Sequence, residues 1–227
     1  MKVLITDNIN KCVKDIISET AEAVFLPTMS EEEIIKIIGE YDALMVRSQT
    51  KVNRNIIEAG KKLKIIGRAG VGVDNIDVNS ATEKGIIVVN SPDGNTIAAS
   101  EHTIALMLAI SRNIVPASQS TKEGKWNRDA FTGTELFGKT LGVMGFGRIG
   151  RKVVNIALSI GMKVIVYDPF ANEEMINKTC ALYETSLDNF LKTLDYLSIH
   201  IPKTADTINI INKENINKMK KGAIIIN

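Results

Sequence analysis

Apolar and polar positions along the chain change period repeatedly, and the changes divide it into alternating strands and helices. Short apolar runs predict buried strands at 1–6, 23–25, 41–46, 64–67 and 86–89. Between them, helical spacing of apolar positions predicts helices over 9–20, from Ser30, over 53–60 and over 78–84. The second of these opens with Ser30-Glu31-Glu32-Glu33, a capping box with acids in the first turn. Strand and helix alternating in this way imply a parallel sheet between two layers of helices, complete before residue 96.

Residues 96–111 then read as a long helix that is apolar on most faces, which predicts burial by more than one neighbour. Too short and interrupted to span a membrane, it is expected to lie between two domains or two subunits. An irregular connection follows over 118–137 and carries Trp126, an interface anchor if exposed and ordinary core if buried. From Thr140 the alternation resumes, with strands at 140–145, 163–167, 181–183, 196–201 and 223–227. Helices are expected over 151–160, 172–178, 186–193 and 213–219. The last apolar run has no closing helix after it, so the second domain is expected to be incomplete at its C-terminus. The expected organisation is two domains, 1–95 and 96–227.

Composition adds exclusions. A net charge of +2 with no basic block gives no reason to expect a nucleic-acid partner. No run of about eighteen apolar residues and no signal-peptide pattern is present, which leads to the expectation of a cytosolic protein without a membrane partner. Cys12 and Cys180 stand far apart and outside any metal-ligand spacing, so reduced, incidental thiols and no metal site are expected.

The chemistry concentrates at Gly145-Phe-Gly-Arg-Ile-Gly150, which joins an apolar strand to a helix. In such a fingerprint the first glycine permits the tight turn and the second lets a pyrophosphate approach the backbone. The third allows the helix to pack on the strand, and the helix N-terminus faces the phosphates. Arg148 and Ile149 are placed to hold a pyrophosphate through their backbone. Asp168 ends the next strand at the distance where a carboxylate accepts from both ribose hydroxyls and repels a 2′-phosphate. The expected cofactor is NAD. The fold class is therefore α/β: two Rossmann-like parallel-sheet domains, a flavodoxin-like first domain and a dinucleotide-binding second.

The segments Val46–Val52, Gly67-Arg-Ala-Gly-Val-Gly-Val-Asp-Asn75, Asn95–Thr103, Gly124-Lys-Trp126, Gly133–Leu136, Gly138–Gly142, the glycine motif and Met162–Pro169 together closely resemble the D-2-hydroxyacid dehydrogenase family. The match is collinear over the chain and is strongest to members that oxidise phosphoglycerate. It implies a substrate domain in residues 1–95, an NAD domain in 96–227, and a reaction in the cleft between them. The implied substrate is 3-phosphoglycerate, oxidised at its 2-hydroxyl in the opening step of serine biosynthesis. It also implies a homodimer or higher assembly through the 96–111 helix and the Trp126 region.

Residue by residue, the resemblance matches Arg47 and Ser48 to substrate binding, where a guanidinium suits a carboxylate or phosphate. Arg47 read alone is equally a surface charge after a strand. Gly70, Val71 and Gly72 would offer backbone N–H groups to the substrate carboxylate, although some relatives carry threonine at the position of Val71. Asn95 would sit at the hinge near substrate, and Lys125 and Arg128 would reach a partner subunit's substrate phosphate. His200 and Pro202 correspond to a His-x-Pro beside the cofactor rather than to the catalytic base. His102 reads as a packed helix histidine. The family's catalytic arginine, glutamate and histidine have no counterpart in the chain and are expected after Asn227, so residues 1–227 are expected to be inactive by themselves. Two alternatives stand beside this reading: another 2-hydroxy acid (hydroxypyruvate, glyoxylate or D-lactate), and an NAD-sensing binding protein of the same fold.

Overall fold

The computed structural model describes residues 1–227, Lys11 by its backbone alone. The chain divides into two compact units, Met1–Asn95 and Thr96–Asn227. Unit 1 contains β1 (Lys2–Ile5), α1 (Lys11–Ser18), β2 (Glu22–Phe25), α2 (Glu31–Ile37), β3 (Ala43–Val46), α3 (Arg54–Ala59), β4 (Ile65–Arg68), α4 (Val78–Glu83) and β5 (Ile87–Asn90). All pairings in its sheet are parallel, in the order β2-β1-β3-β4-β5. That is the flavodoxin-like order, whose switch point lies between β1 and β3. Leu4, Leu44, Val46 and Ile66 of the strands pack with Ile34, Ile38, Ile56 and Ile57, all fully buried. At the start of α2 the expected capping box forms: Glu33 N donates to Ser30 Oγ and Ser30 N to Glu33 Oε2.

Unit 2 contains α5 (Thr96–Ser111), α6 (Ile114–Lys122), β6 (Thr140–Met144), α7 (Arg148–Ser159), β7 (Lys163–Tyr167), α8 (Glu173–Asn177), β8 (Leu182–Tyr183), α9 (Leu187–Thr193), β9 (Tyr196–Ile199), α10 (Lys213–Lys218) and β10 (Ile224–Ile226). Its sheet is again parallel throughout, in the order β10-β9-β6-β7-β8. Numbered within the unit this is 5-4-1-2-3, the dinucleotide-binding order, with its switch point between β6 and β9. One face of the sheet packs Leu141, Val143, Val164 and Val166 against Val153, Val154 and Ala157 of α7. The other packs Met144 and Leu197 against Phe190, Leu191 and Leu194.

Four expectations change. Residues 118–122, read as the start of an irregular connection, belong to α6, which begins already at Ile114; Pro116 falls in its first turn, where a missing N–H costs nothing. The helix after the glycine motif starts at Arg148 rather than 151, because Gly147 serves as its N-cap. Within unit 2, α5 is buried only along the stripe Ser100, Thr103, Ile104, Met107 and Ser111, while Ile97, Leu106, Leu108 and Ile110 stay exposed. The helix does pack against more than one neighbour, α7, α6 and β10, but with only part of its apolar surface; three of the buried positions are hydroxyls whose Oγ atoms donate to backbone carbonyls of the same helix. His102 is exposed on α5 rather than packed.

Candidate functional site

In unit 2 the predicted cofactor residues meet at the carboxyl ends of β6, β7 and β9. Gly145 leaves β6 with φ +97°, a conformation that glycine adopts without strain. A Cβ there would lie 2.8 Å from the backbone of His200, so the turn is also threaded against the segment after β9. The two are tied by His200 N donating to Met144 O at 2.7 Å. At Gly150 a Cβ would fall 1.9 Å from the Gly145 carbonyl oxygen, which leaves room for nothing larger than hydrogen. A Cβ on Gly147, by contrast, would meet nothing within 4 Å: the backbone there lies open. Arg148 and Ile149 form the first turn of α7, which no described side chain caps. Its N-terminal N–H groups and positive dipole end therefore face outward from this turn.

Asp168 follows β7 directly and is tied into the same loop. Its Oδ2 accepts from Phe146 N at 2.8 Å and its Oδ1 from Phe170 N at 2.9 Å, while its carbonyl accepts from Tyr183 Oη. A carboxylate has about four lone-pair sites, so both oxygens keep capacity for a diol. Phe146, the residue between the first two glycines, thus aims the acid through its backbone, a link the sequence did not reveal. The residues fit a dinucleotide: a bare backbone for the pyrophosphate and a fixed carboxylate for the ribose, joined through Phe146 N.

His200 is partly buried, and burial pushes its pKa down to about 4. Near neutral pH its ring is uncharged, with Nε2 2.7 Å from the buried Ser198 Oγ. Pro202 lies two residues further, exposed, on a separate pocket of about 400 Å³ lined also by Ile201, Thr207 and Ile211. Asp168 and the glycine turn are thus held together directly, His200 touches the turn, and Pro202 stands beyond it.

In unit 1, Arg47, Ser48, Val71 and Asn95 line one open pocket of about 590 Å³ at the carboxyl ends of β3, β4 and β5. Gly72 does not line it; a Cβ there would meet Asp74. Gly70 lines the pocket, but its N–H donates to Arg68 O, so of the three expected backbone donors only Val71 and Gly72 stay on offer. Asn90 Nδ2 holds the loop by donating to the Val71 carbonyl. Arg68 was not anticipated, yet its side chain, only 12% exposed, lines the same pocket at the end of β4. The signal was present: a cation closing an otherwise apolar strand. Elsewhere, Lys125 pairs with Glu123 at 2.9 Å, and Trp126 is 79% exposed in the chain.

Residues 104–227 match the sequence profile described as D-isomer specific 2-hydroxyacid dehydrogenase, NAD binding domain. The whole chain is 52% identical to a D-3-phosphoglycerate dehydrogenase of Synechocystis sp., of which it covers 41%. Over 88% of its length it is 50% identical to a hydroxypyruvate reductase of Thermotoga maritima, of which it covers 64%. Among solved structures, the D-lactate dehydrogenase of Aquifex aeolicus complexed with NAD and lactic acid superposes with a TM-score of 0.89. The two are 30% identical, over 99% of this chain and 68% of that one. The chain therefore spans less than half the length of the phosphoglycerate relative.

Proposed function

The chain belongs to the D-isomer specific 2-hydroxyacid dehydrogenases, and from that membership we propose that it binds NAD in unit 2 and 3-phosphoglycerate in the pocket of unit 1. The reaction it serves is oxidation of the substrate's 2-hydroxyl to 3-phosphohydroxypyruvate, the opening step of serine biosynthesis. The observation that carries this reading is Asp168, fixed against the Gly145–Phe146 turn at the β6/β9 switch point.

Bound NAD supplies the hydride acceptor. The chain's own residues bind, orient and discriminate. Gly147 and the first turn of α7 receive the pyrophosphate, and Asp168 receives the ribose hydroxyls while opposing a 2′-phosphate. In the other unit, Arg47 and Arg68 offer guanidinium groups to a carboxylate and a phosphate, and Ser48 and Asn95 offer neutral donors. Val71 and Gly72 add backbone N–H groups. No proton acceptor is assigned within residues 1–227. His200, with a pKa of about 4, is too weak a base to take a hydroxyl proton efficiently near neutrality. Residues 1–227 are thus expected to bind ligands without turning over.

Titrations of NADH and 3-phosphoglycerate, with an assay for NADH formation, test the whole reading. Binding of both without turnover is expected; failure to bind NADH overturns it. A second reading keeps the chemistry and exchanges the substrate for hydroxypyruvate, motivated by the 50% identity to the Thermotoga reductase over 88% of the chain. Tighter binding of hydroxypyruvate than of 3-phosphoglycerate would favour it. The homodimer is proposed through the exposed apolar face of α5 and Trp126.

A further inference from the structure

The pocket of unit 1 owes its arrangement to side chains that do not line it. Asn75, in the turn between β4 and α4, commits both N–H donors and the carbonyl oxygen of its amide to the pocket's framework. Its Nδ2 donates to Arg47 O at 2.7 Å and to Thr50 O at 2.7 Å, and its Oδ1 accepts from Arg68 Nε at 2.8 Å. The orientation of the amide is fixed by these partners, because the reverse would set its oxygen against two carbonyls and its NH₂ against a guanidinium. From the other side, buried Asp7 takes the N–H groups: its Oδ2 accepts from Arg47 N at 2.6 Å and Thr50 N at 3.3 Å, and its Oδ1 from Thr50 Oγ1. The turn Arg47–Thr50 is therefore held by its donors on one side and its carbonyls on the other. Asn75 itself is anchored, since its carbonyl accepts from Val52 N at 2.8 Å and Ile76 bridges to Val52.

We propose that Asn75 is a positioning residue that couples the Arg47–Ser48 turn to Arg68, so that two cations at the ends of neighbouring strands present a fixed spacing to an acid carrying two anionic groups. The proposal rests on the reading of this pocket as the substrate site. Without the amide, each guanidinium keeps its charge but the pair loses its common reference, and the ordering cost falls on the bound state. A purely structural role for Asn75 would weaken all ligands of the pocket alike; a positioning role weakens the doubly anionic one selectively.

The test is isothermal titration of 3-phosphoglycerate and of D-glycerate into the NADH-saturated chain, for wild type, Asn75→Asp and Arg47→Ala. Asn75→Asp keeps an acceptor for Arg68 and removes both N–H donors from the carbonyls, but adds a negative charge beside Arg68; Asn75→Ala, which adds none, is therefore titrated beside it and must show the same selectivity. Asn75→Asp is expected to weaken 3-phosphoglycerate about tenfold or more, which corresponds to about 1.4 kcal/mol. Glycerate should change less than about threefold, and NADH affinity should stay as in wild type. Equal weakening of both acids, or of neither while Arg47→Ala abolishes 3-phosphoglycerate binding, overturns the coupling but leaves the substrate site standing. If Arg47→Ala leaves 3-phosphoglycerate binding intact, the substrate-site reading falls and the coupling with it. Should Asn75→Asp fail to fold, Asn75→Ala leaves the carbonyls to solvent and must show the same selective loss.

Discussion

At the scale of single residues, the account turns on positions where one atom decides the outcome. A Cβ at Gly150 cannot coexist with the Gly145 carbonyl. Gly150→Ala is therefore expected to destabilise the chain by about 2 kcal/mol or more through overpacking, and to abolish NADH binding, as read by chemical denaturation and NADH fluorescence. Asp168 acts through charge: Asp168→Ala should weaken NADH about tenfold and narrow the preference over NADPH, because the group that accepts from the ribose also repels the 2′-phosphate. Retained discrimination in that variant would assign the preference elsewhere. His200 offers a pH test. Its folded pKa, about 4, lies below the ordinary value of 6.5. Between those values the unfolded chain binds more protons, so stability is fully present above about 6.5 and is lost as pH falls toward 4. The loss should be about 2 kcal/mol after allowing for solvent at the partly exposed ring. Denaturation midpoints at pH 7 and 4.5 should diverge less in His200→Gln than in wild type.

At the scale of elements, the capping box of α2 is a local device that the sequence alone disclosed. Ser30→Ala should cost about 1 kcal/mol in urea denaturation, and a neutral result would mean that packing alone holds the helix start. Strands were legible for the same local reason: parallel, doubly covered strands are continuous apolar runs, and the observed ones fall within a residue or two of those runs. Helix α6 was not, because Ser118-Gln119-Ser120 opens a polar stretch without helical apolar spacing while the contacts that order the segment come from α5. Asp168 and the three glycines could be picked from spacing. Arg68 left a local signal, a cation closing an apolar strand, but Asn75 and Asp7 left none, since their roles arise from hydrogen bonds between segments up to 43 residues apart, which no local pattern encodes. The apolar surface of α5 and Trp126 belongs to this scale too: if it forms the proposed dimer contact, sedimentation equilibrium should find a dimer for the wild type and a monomer for Trp126→Glu, and a monomeric wild type would contradict the proposal.

At the scale of the molecule, two parallel sheets with different strand orders both gather their loops at the carboxyl ends of the strands, at the β6/β9 switch point in unit 2 and beyond β3, β4 and β5 in unit 1, and the proposed ligands follow from that placement. The most direct measurement is thermal unfolding and titration of the 227-residue chain with NADH. Binding only to the folded state should raise stability by about 2.7 kcal/mol at a hundredfold excess over the dissociation constant, with NADPH giving a clearly smaller shift. A folded chain whose unfolding and calorimetric signals are indifferent to NADH would contradict the account at its centre.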